Sequence, residues 1–234
     1  MSDKLTHECG IALIRLLKPQ EYYYEKYGTN LYGFQKLFLL MEKQHNRGQD
    51  GAGIGAMKLE AGVGKPFMFR ERSMETNALA TIFHEQLARY DQMKAEGTIH
   101  PEFPRTVNEH FEYAAEMLLG HLRYGTSGGY GTSSCHPYFR RSNWPAKNLL
   151  LAGNFNMTNM EALNEQMIGQ GQHPIFDTDT QSILESIGNR LDQEHDRIWD
   201  SLAGRKLKGR DLAEAVGEAL DPAKVLLEAS ADWD

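Results

Sequence analysis

The sequence contains little cysteine and no long apolar run. Its two cysteines, Cys9 and Cys135, are too few for a disulfide framework or a four-thiolate zinc site. No apolar stretch approaches the roughly 18 residues of a membrane-spanning helix. Residues 1–8 are polar and lack the apolar core of a secretory signal. We therefore expect a cytoplasmic protein without a membrane segment.

Basic residues are also scarce relative to acidic ones. There are 25 Lys and Arg against 32 Asp and Glu, which gives a formal net charge of −7. Because nucleic acids and anionic membranes attract proteins through clustered Lys and Arg, this balance argues against a general affinity for either. The one dense basic run, at residues 204–210, is expected to be a solvated loop before a helix. The apolar content of 41% is enough for a folded core.

Short apolar runs alternate with segments of helical spacing. This pattern indicates a mixed sheet covered by helices. The tyrosine-rich segment after the first strand is expected to be a loop, Asn30 is expected to cap a helix, and Thr178 with Gln181 forms a capping box. Strands are predicted at residues 9–16, 52–59, 120–124 and 148–153, and helices at 31–41, 78–96, 107–118, from 178 onward, 211–220 and 222–229.

Taken alone, the residues that carry chemistry do not identify a site. A free cysteine such as Cys9 or Cys135 is more often a small core residue than a nucleophile. None of the nine histidines has the spacing of a zinc site, so we expect no metal. Residues 62–65 match a phosphate loop only superficially, because Leu59 and Pro66 occupy positions where that motif needs Gly and Ser or Thr.

Five segments change this assessment because they resemble one family in the same order. Their positions are residues 9–11, 44–53, 120–126, 154–159 and 177–179. Together they resemble the class II glutamine amidotransferases, whose glutaminase domains have the N-terminal-nucleophile hydrolase fold. Within that family the segments are most similar to the amidophosphoribosyltransferases, because Gln49 stands where glucosamine-6-phosphate synthase usually carries Tyr and asparagine synthetase Pro. The resemblance implies a four-layer αββα sandwich over residues 9–234.

The resemblance also implies a nucleophile and an oxyanion hole. In this family the mature chain starts at the cysteine, and its α-amino group acts as the general base. A free α-amine has a pKa of about 7.7 to 8.0, whereas a backbone amide nitrogen is not basic. Residues 1–8 are therefore expected to be a propeptide, cleaved autocatalytically before Cys9. The oxyanion donors implied are the Asn154 side chain and the Phe155 backbone N–H. By itself, Asn154 fits a turn residue closing a strand.

Five further residues are implied in substrate binding. Arg123 suits the α-carboxylate of glutamine because its planar guanidinium can donate two parallel hydrogen bonds. Asp179 suits the α-ammonium from the first turn of its helix. Arg47 and Gly48 are implied to shape the pocket, and Thr126 to line it. The alternatives are a surface ion pair for Arg123, a helix-start acid for Asp179 and a plain helix C-terminal turn for residues 47–48. The resemblance implies no cofactor in this chain.

Several positions depart from the family pattern. Asn46 separates a His and an Arg that are normally adjacent, and Phe155 replaces a Gly, so its N–H can serve only if the conformation does not require positive φ. Gly125 and Gln181 replace a common Ser and a common Glu. Cys135 falls outside every family site and is expected to be structural.

The resemblance finally implies partners. Besides glutamine, they are a C-terminal phosphoribosyltransferase domain or acceptor subunit and further copies of the chain. Nothing in this sequence matches the phosphoribosyltransferase motifs, and we expect a glutaminase domain truncated before its last strands. The function implied is supply of ammonia in purine biosynthesis. Two alternatives stay open: an N-terminal cysteine amidohydrolase acting on another amide, and a non-catalytic regulatory or interaction domain that retains residues 1–8.

Overall fold

A computed structural model describes residues 9–44, 46, 50–125, 131–174, 178–204 and 207–234. Within these ranges the strands are β1 (Gly10–Arg15), β2 (Gly51–Met57), β3 (Met68–Ser73), β4 (Met117–Arg123), β5 (Tyr138–Arg140) and β6 (Leu149–Leu151). The helices are α1 (Gln20–Tyr27), α2 (Tyr32–Lys43), α3 (Ala78–Ala95), α4 (Pro104–His110), α5 (Met160–Gly169), α6 (Asp179–Ala203), α7 (Gly209–Ala219) and α8 (Pro222–Ser230). None of these helices is both long and apolar enough to cross a membrane.

The chain forms two compact units. The first contains the described residues up to Pro137 together with Ala152–Asn154. The second contains Tyr138–Leu151 and Phe155–Asp234. All strands pair antiparallel, so the molecule is a mixed α and β protein with an antiparallel sheet.

A four-stranded sheet in the order β1-β4-β2-β3 forms the first unit. Side chains alternate between its two faces. One face carries Ile54 and Leu118 and is covered by α2 and α3. Gly120 lies on this face at a point where Met41 of α2 occupies the space a Cβ would need. The close approach of α2 to β4 therefore requires glycine at this position.

The opposite face of the sheet is apolar near its β1 edge. Ile11 is 42% exposed and Leu13 58% exposed, and the register pairs Leu13 with Leu119 of β4. These side chains lie on the face away from α2, because the buried Ala12 between them points toward it.

Most predicted elements of the first unit are present, with four corrections. The tyrosine-rich segment is helix α1 rather than a loop, because Tyr23 and Tyr27 stack on Tyr32 at ring-centroid distances of 5.0 and 4.3 Å. Strand β3 has no counterpart in the predictions. Asn30 does not cap α2; its side-chain amide instead donates to the Pro101 carbonyl at 2.7 Å.

The fourth correction concerns the helix predicted at residues 107–118. Helix α4 ends at His110, and Phe111 is already extended with φ −92° and ψ 121°. Phe111, Tyr113 and Ala114 are each buried in the core from an irregular segment that leads into β4. Their helical spacing therefore reflects separate core contacts rather than one helix face.

The second unit is built around the long helix α6. Its start is confirmed, since Thr178 Oγ1 accepts from the Gln181 backbone N–H at 3.3 Å. Helices α5, α7 and α8 and the β5–β6 hairpin pack against it. Glu194 accepts hydrogen bonds from Arg197 at 2.7 Å and from Lys224 of α8 at 3.0 Å. The bonds to Arg197, and then those to Lys224, lower the pKa of Glu194 to about 2. The predicted strand at residues 148–153 shortens to β6, and helices α7 and α8 match the predictions.

Candidate functional site

The sulfur of Cys9 lies at the end of the four-stranded sheet. Cys9 directly precedes β1 and is half-buried. The Tyr124 backbone N–H donates to its Sγ at 3.5 Å, and Sγ lies 3.9 Å from the Tyr124 carbonyl oxygen. Since Gly10 pairs with Leu122, continuing the ladder by one residue brings Cys9 level with Arg123.

Arg123 is the last residue of β4 and is 5% exposed. On its other side it pairs with Gly51 of β2. Asp50 connects the ends of these strands: its backbone N–H donates to the Arg123 carbonyl at 3.0 Å, and its Oδ2 accepts from the Gly125 N–H at 2.8 Å. A buried guanidinium and a partly exposed thiol thus belong to adjacent strands at the same end of the sheet.

A short segment formed by residues 135–137 crosses the face of β2 beside these groups. It is held by two arginines of β3. Arg72 Nη1 donates to the Cys135 carbonyl at 2.9 Å, and Arg70 Nη1 to the Pro137 carbonyl at 3.3 Å. The crossing is possible because Gly53 lacks a Cβ, whose place is occupied by the His136 carbonyl oxygen.

Cys135 agrees with its predicted structural role. It is 0% exposed, and its thiol donates to the Ser73 carbonyl at 3.8 Å. Burial raises the pKa of this thiol. A raised pKa keeps the group protonated and therefore a poor nucleophile.

Two neighbouring histidines connect the sheet to the segment that carries Asn154. The rings of His121 and His136 lie 4.3 Å apart. The Gly153 backbone N–H donates to His136 Nδ1 at 3.4 Å, so the residue directly before Asn154 is bound to the same unit as Cys9. The Asn154 side chain itself is exposed.

Both histidines are neutral at physiological pH. Burial, and then the neighbouring His136, lowers the pKa of His121 to about 3. Burial lowers the pKa of His136 to about 4, opposed in part by the Gly153 N–H and assisted by Arg123 and Arg72. The nearby Gly153 backbone amide partly opposes this lowering of the His121 pKa. Within the described residues, neither ring nitrogen of His121 makes a hydrogen bond of normal geometry.

Two predicted site residues belong to the second unit. Phe155 is half-buried and packs against the cluster around Ile183 and Ile187. Among the described non-glycine residues only Asn77 has positive φ. Phe155 therefore has negative φ, which was the condition for its backbone N–H to serve as a donor. Asp179 is the first residue of α6, next to the N-cap Thr178. The roles of Phe155 and Asp179 stay predictions.

Three predicted site residues, Arg47, Gly48 and Thr126, lie outside the described residues. The inserted Asn46 is described and is exposed. Four residues around Cys9 were not predicted as part of the site, namely Gln44, Asp50, His121 and His136. The first three fall inside the quoted motifs, which was an available signal, whereas nothing in the sequence distinguishes His136.

No described group of three or more His, Cys, Asp or Glu side chains has the arrangement of a metal site. An open cavity of about 550 Å³ lies at the other end of β1, beside Arg15 and Leu16. Since Arg15 is the sixth residue after Cys9 along the strand, at about 3.3 Å per residue, the cavity is away from the thiol. It is lined by three basic and three acidic side chains: Arg15, Lys18, Arg105, Glu21, Glu60 and Glu116.

Comparison with known proteins gives one relative in sequence and a similar solved structure. No family model matches the chain. An amidophosphoribosyltransferase from Pasteurella multocida strain Pm70 is 25% identical over 126 residues, which cover 53% of this chain and 24% of that protein. The glutamine phosphoribosylpyrophosphate (PRPP) amidotransferase from B. subtilis, complexed with ADP and GMP, aligns with 97% of this chain and 33% of its own at a TM-score of 0.55 and 15% identity.

These comparisons support a fold related to that of the amidophosphoribosyltransferases. The chain spans about a quarter of the length of the bacterial relative and a third of the solved structure.

Proposed function

We propose that this chain hydrolyses glutamine to glutamate and ammonia, with Cys9 as the nucleophile. The observation that carries the proposal is the position of the Cys9 sulfur, which is bound by the Tyr124 N–H at 3.5 Å and lies level with the buried Arg123. The five ordered motifs and the fold relationship support it.

Activation of the thiol requires a free amine on Cys9. In this mechanism the peptide bond between Glu8 and Cys9 is cleaved, and the new α-amine accepts the proton of the thiol. A secondary amide nitrogen has no such basicity. Removal of residues 1–8 is therefore part of the proposal.

The reaction then proceeds in two steps, formation of a glutamyl thioester and its hydrolysis. The thiolate attacks the side-chain carbonyl carbon of glutamine, and the C–N bond breaks as the α-ammonium returns its proton to the leaving nitrogen, which departs as ammonia. Water next attacks the glutamyl thioester. The C–S bond breaks, glutamate leaves and the thiol is restored.

Asn154 and Phe155 are the proposed donors to the tetrahedral oxyanion. The side-chain amide of Asn154 would supply one N–H and the backbone of Phe155 another, and losing one such donor typically costs about 2.7 to 4 kcal/mol of barrier. The hydrogen bond from Gly153 to His136 supports this role, because it fixes the chain immediately before Asn154.

Arg123 is the proposed partner of the substrate α-carboxylate, since a buried guanidinium binds a carboxylate with little competition from water. Asp179 keeps its predicted role toward the α-ammonium, and Arg47, Gly48 and Thr126 their predicted roles in the pocket wall. No step of this chemistry requires a cofactor.

The ammonia is proposed to pass to a phosphoribosyl acceptor site for purine biosynthesis, in a further domain or subunit. Support comes from the names of the related proteins and from the small share of their length that the chain covers. We also propose that the sheet is one layer of an αββα sandwich, because helices cover one face while Ile11 and Leu13 remain exposed on the other.

A glutaminase assay on two cysteine variants tests the proposal. Cys9→Ala should abolish release of glutamate, whereas Cys135→Ser, at a buried thiol of the same unit, should keep it. Short acylated amines supplied in place of glutamine separate the rival amidohydrolase. Preference for those amides, or equal activity in Cys9→Ala and the wild type, would contradict the proposal, and complete inactivity of the wild type would favour a non-catalytic domain.

A further inference from the structure

Gln44 ends helix α2, and its side chain turns back onto strand β1. Its Oε1 accepts from the Ile11 backbone N–H at 3.1 Å, and its Nε2 donates to the Ile11 carbonyl at 3.0 Å. The same Nε2 lies 3.3 Å from the Leu40 carbonyl in the last turn of α2. One side-chain amide therefore satisfies both backbone groups of a single strand residue.

This pairing satisfies backbone groups that an edge strand would otherwise leave without a partner in the sheet. Among the described strands, β1 is at the edge of the sheet and pairs with β4 alone. In an antiparallel pair, alternate residues direct both backbone groups away from the partner strand, and the bonds to Gln44 identify Ile11 as such a residue. The amide thus stands where the backbone of a further strand would stand.

We call the two hydrogen bonds between the Gln44 side chain and the Ile11 backbone the Gln44 clamp. Ile11 lies two residues from Cys9, the proposed nucleophile. A Cβ on Gly10 would lie 3.0 Å from Gln44 Oε1 and 3.3 Å from Gln44 Cβ, so a side chain at this position would crowd the amide and push it slightly away from the strand. Once Cys9 is a chain terminus, its preceding peptide bond no longer restrains it. Its position then depends on the β4 ladder and Tyr124 on one side and on Gln44 on the other.

We propose that Gln44 is a positioning residue for Cys9. It holds the free edge of β1 so that the thiol and the new α-amine keep one orientation toward the substrate. The proposal rests on the proposed glutaminase function, and Gln44 touches neither substrate nor thiol in it. Displacing a reacting group by about 1 Å can cost about 100-fold in rate, which gives the scale of the expected effect.

The test compares Gln44→Met, which removes the donor and acceptor at similar length, with Gln35→Met on the exposed side of the same helix. Gln44→Met should lower kcat about 10- to 100-fold and change KM less than about twofold. It should also speed hydrogen exchange of the Ile11 amide about 10-fold and alter the rate of Cys9 alkylation by iodoacetamide. Gln35→Met should match the wild type in all of these.

A second variant keeps the test valid if the first folds poorly. Gln44→Glu retains the acceptor for the Ile11 N–H but turns a carboxylate oxygen toward the Ile11 carbonyl, so kcat should fall at least as far as in Gln44→Met. Unchanged exchange at Ile11 with unchanged kcat in Gln44→Met would overturn the proposal, as would an equal loss in Gln35→Met.

The two proposals fail in different ways. If the wild type lacks glutaminase activity, the proposed function fails, and the clamp is then judged by exchange and alkylation alone. In that case an unaltered Cys9 alkylation rate in Gln44→Met overturns the clamp, and an altered rate with faster exchange at Ile11 supports it.

Discussion

Acid is expected to destabilise the first unit through its two buried, neighbouring histidines, His121 and His136. In the folded chain the pKa values of His121 and His136 are lowered to about 3 and about 4, whereas an unfolded histidine has a pKa of about 6.5. Below about pH 6.5 the unfolded chain therefore binds protons that the folded chain does not. Stability is fully retained above that pH and is lost as the pH falls toward about 4 and then about 3.

The size of the effect follows from these values. Between pH 7.5 and pH 5, each histidine removes about 2 kcal/mol from the free energy of unfolding. At a typical urea slope of about 2 kcal/mol per molar, that is about 1 M in the transition midpoint for each ring. Replacing one histidine should remove its share of the pH dependence and leave the other share in place.

The assay follows the first unit selectively. Trp144, Trp199 and Trp233 all lie in the second unit, and Tyr138 is the one tyrosine there. Urea unfolding of the first unit is therefore followed by tyrosine circular dichroism at pH 7.5 and pH 5.

The informative variant is His136→Asn. It keeps an acceptor that can face the Gly153 N–H but does not titrate, so the midpoint change between the two pH values should shrink by about 1 M. The control His84→Asn, at an exposed histidine on α3, should behave as the wild type. An undiminished pH dependence in His136→Asn would refute the reasoning.

Three further changes give separate tests. Gly120→Ala should destabilise the first unit by about 1 to 3 kcal/mol, because the new methyl group meets Met41, and a urea titration followed by tyrosine signals measures this. Thr178→Ala should cost the second unit about 1 kcal/mol by removing the acceptor for the Gln181 N–H, seen as a lower midpoint in tryptophan fluorescence. Arg123→Lys should raise the KM for glutamine about 10-fold or more with a smaller change in kcat, because an ammonium cannot form the two parallel bonds of a guanidinium.

Each change has a matched comparison. Gly169→Ala, where nothing lies within 4 Å of the added Cβ, should not destabilise the chain. Ser201→Ala, at an exposed position near the other end of the same helix, should not reproduce the loss of the N-cap. Arg210→Lys, at an exposed position of α7, should leave KM unchanged. Equal effects in a variant and its comparison would contradict the reason given for that variant.

Local periodicity predicted the elements whose apolar residues face one way. Strand β1 and helices α2, α3, α7 and α8 were recognisable because each has one buried face that repeats along the sequence, whereas β2 and the end of β4 are buried on both faces and were recognisable as short apolar runs. The helix predicted at residues 107–118 was wrong, because Phe111 and Ala114 have helical spacing in the sequence but are buried from an irregular segment. The helix that contains Tyr23 was missed because its stability depends on stacking against Tyr32, which no local pattern reveals.

The candidate site could be predicted only where the sequence contains motifs that resemble the family. Cys9 and Arg123 could be chosen by resemblance, and the strand register then explains their proximity. The hydrogen bonds of Gln44 to Ile11 depend on which strand lies at the sheet edge, a property of topology rather than of sequence. His136 could not be predicted from the sequence, because its position depends on a segment that crosses β2 above Gly53.

The central claim is that chemistry depends on a free amine at Cys9, and one sample can test it directly. Purified protein is examined by intact mass and N-terminal sequencing, and glutamate release is measured on the same preparation. Glutaminase activity should rise in proportion to the fraction of chains that begin at Cys9. Full activity in chains that still carry residues 1–8 would contradict the account.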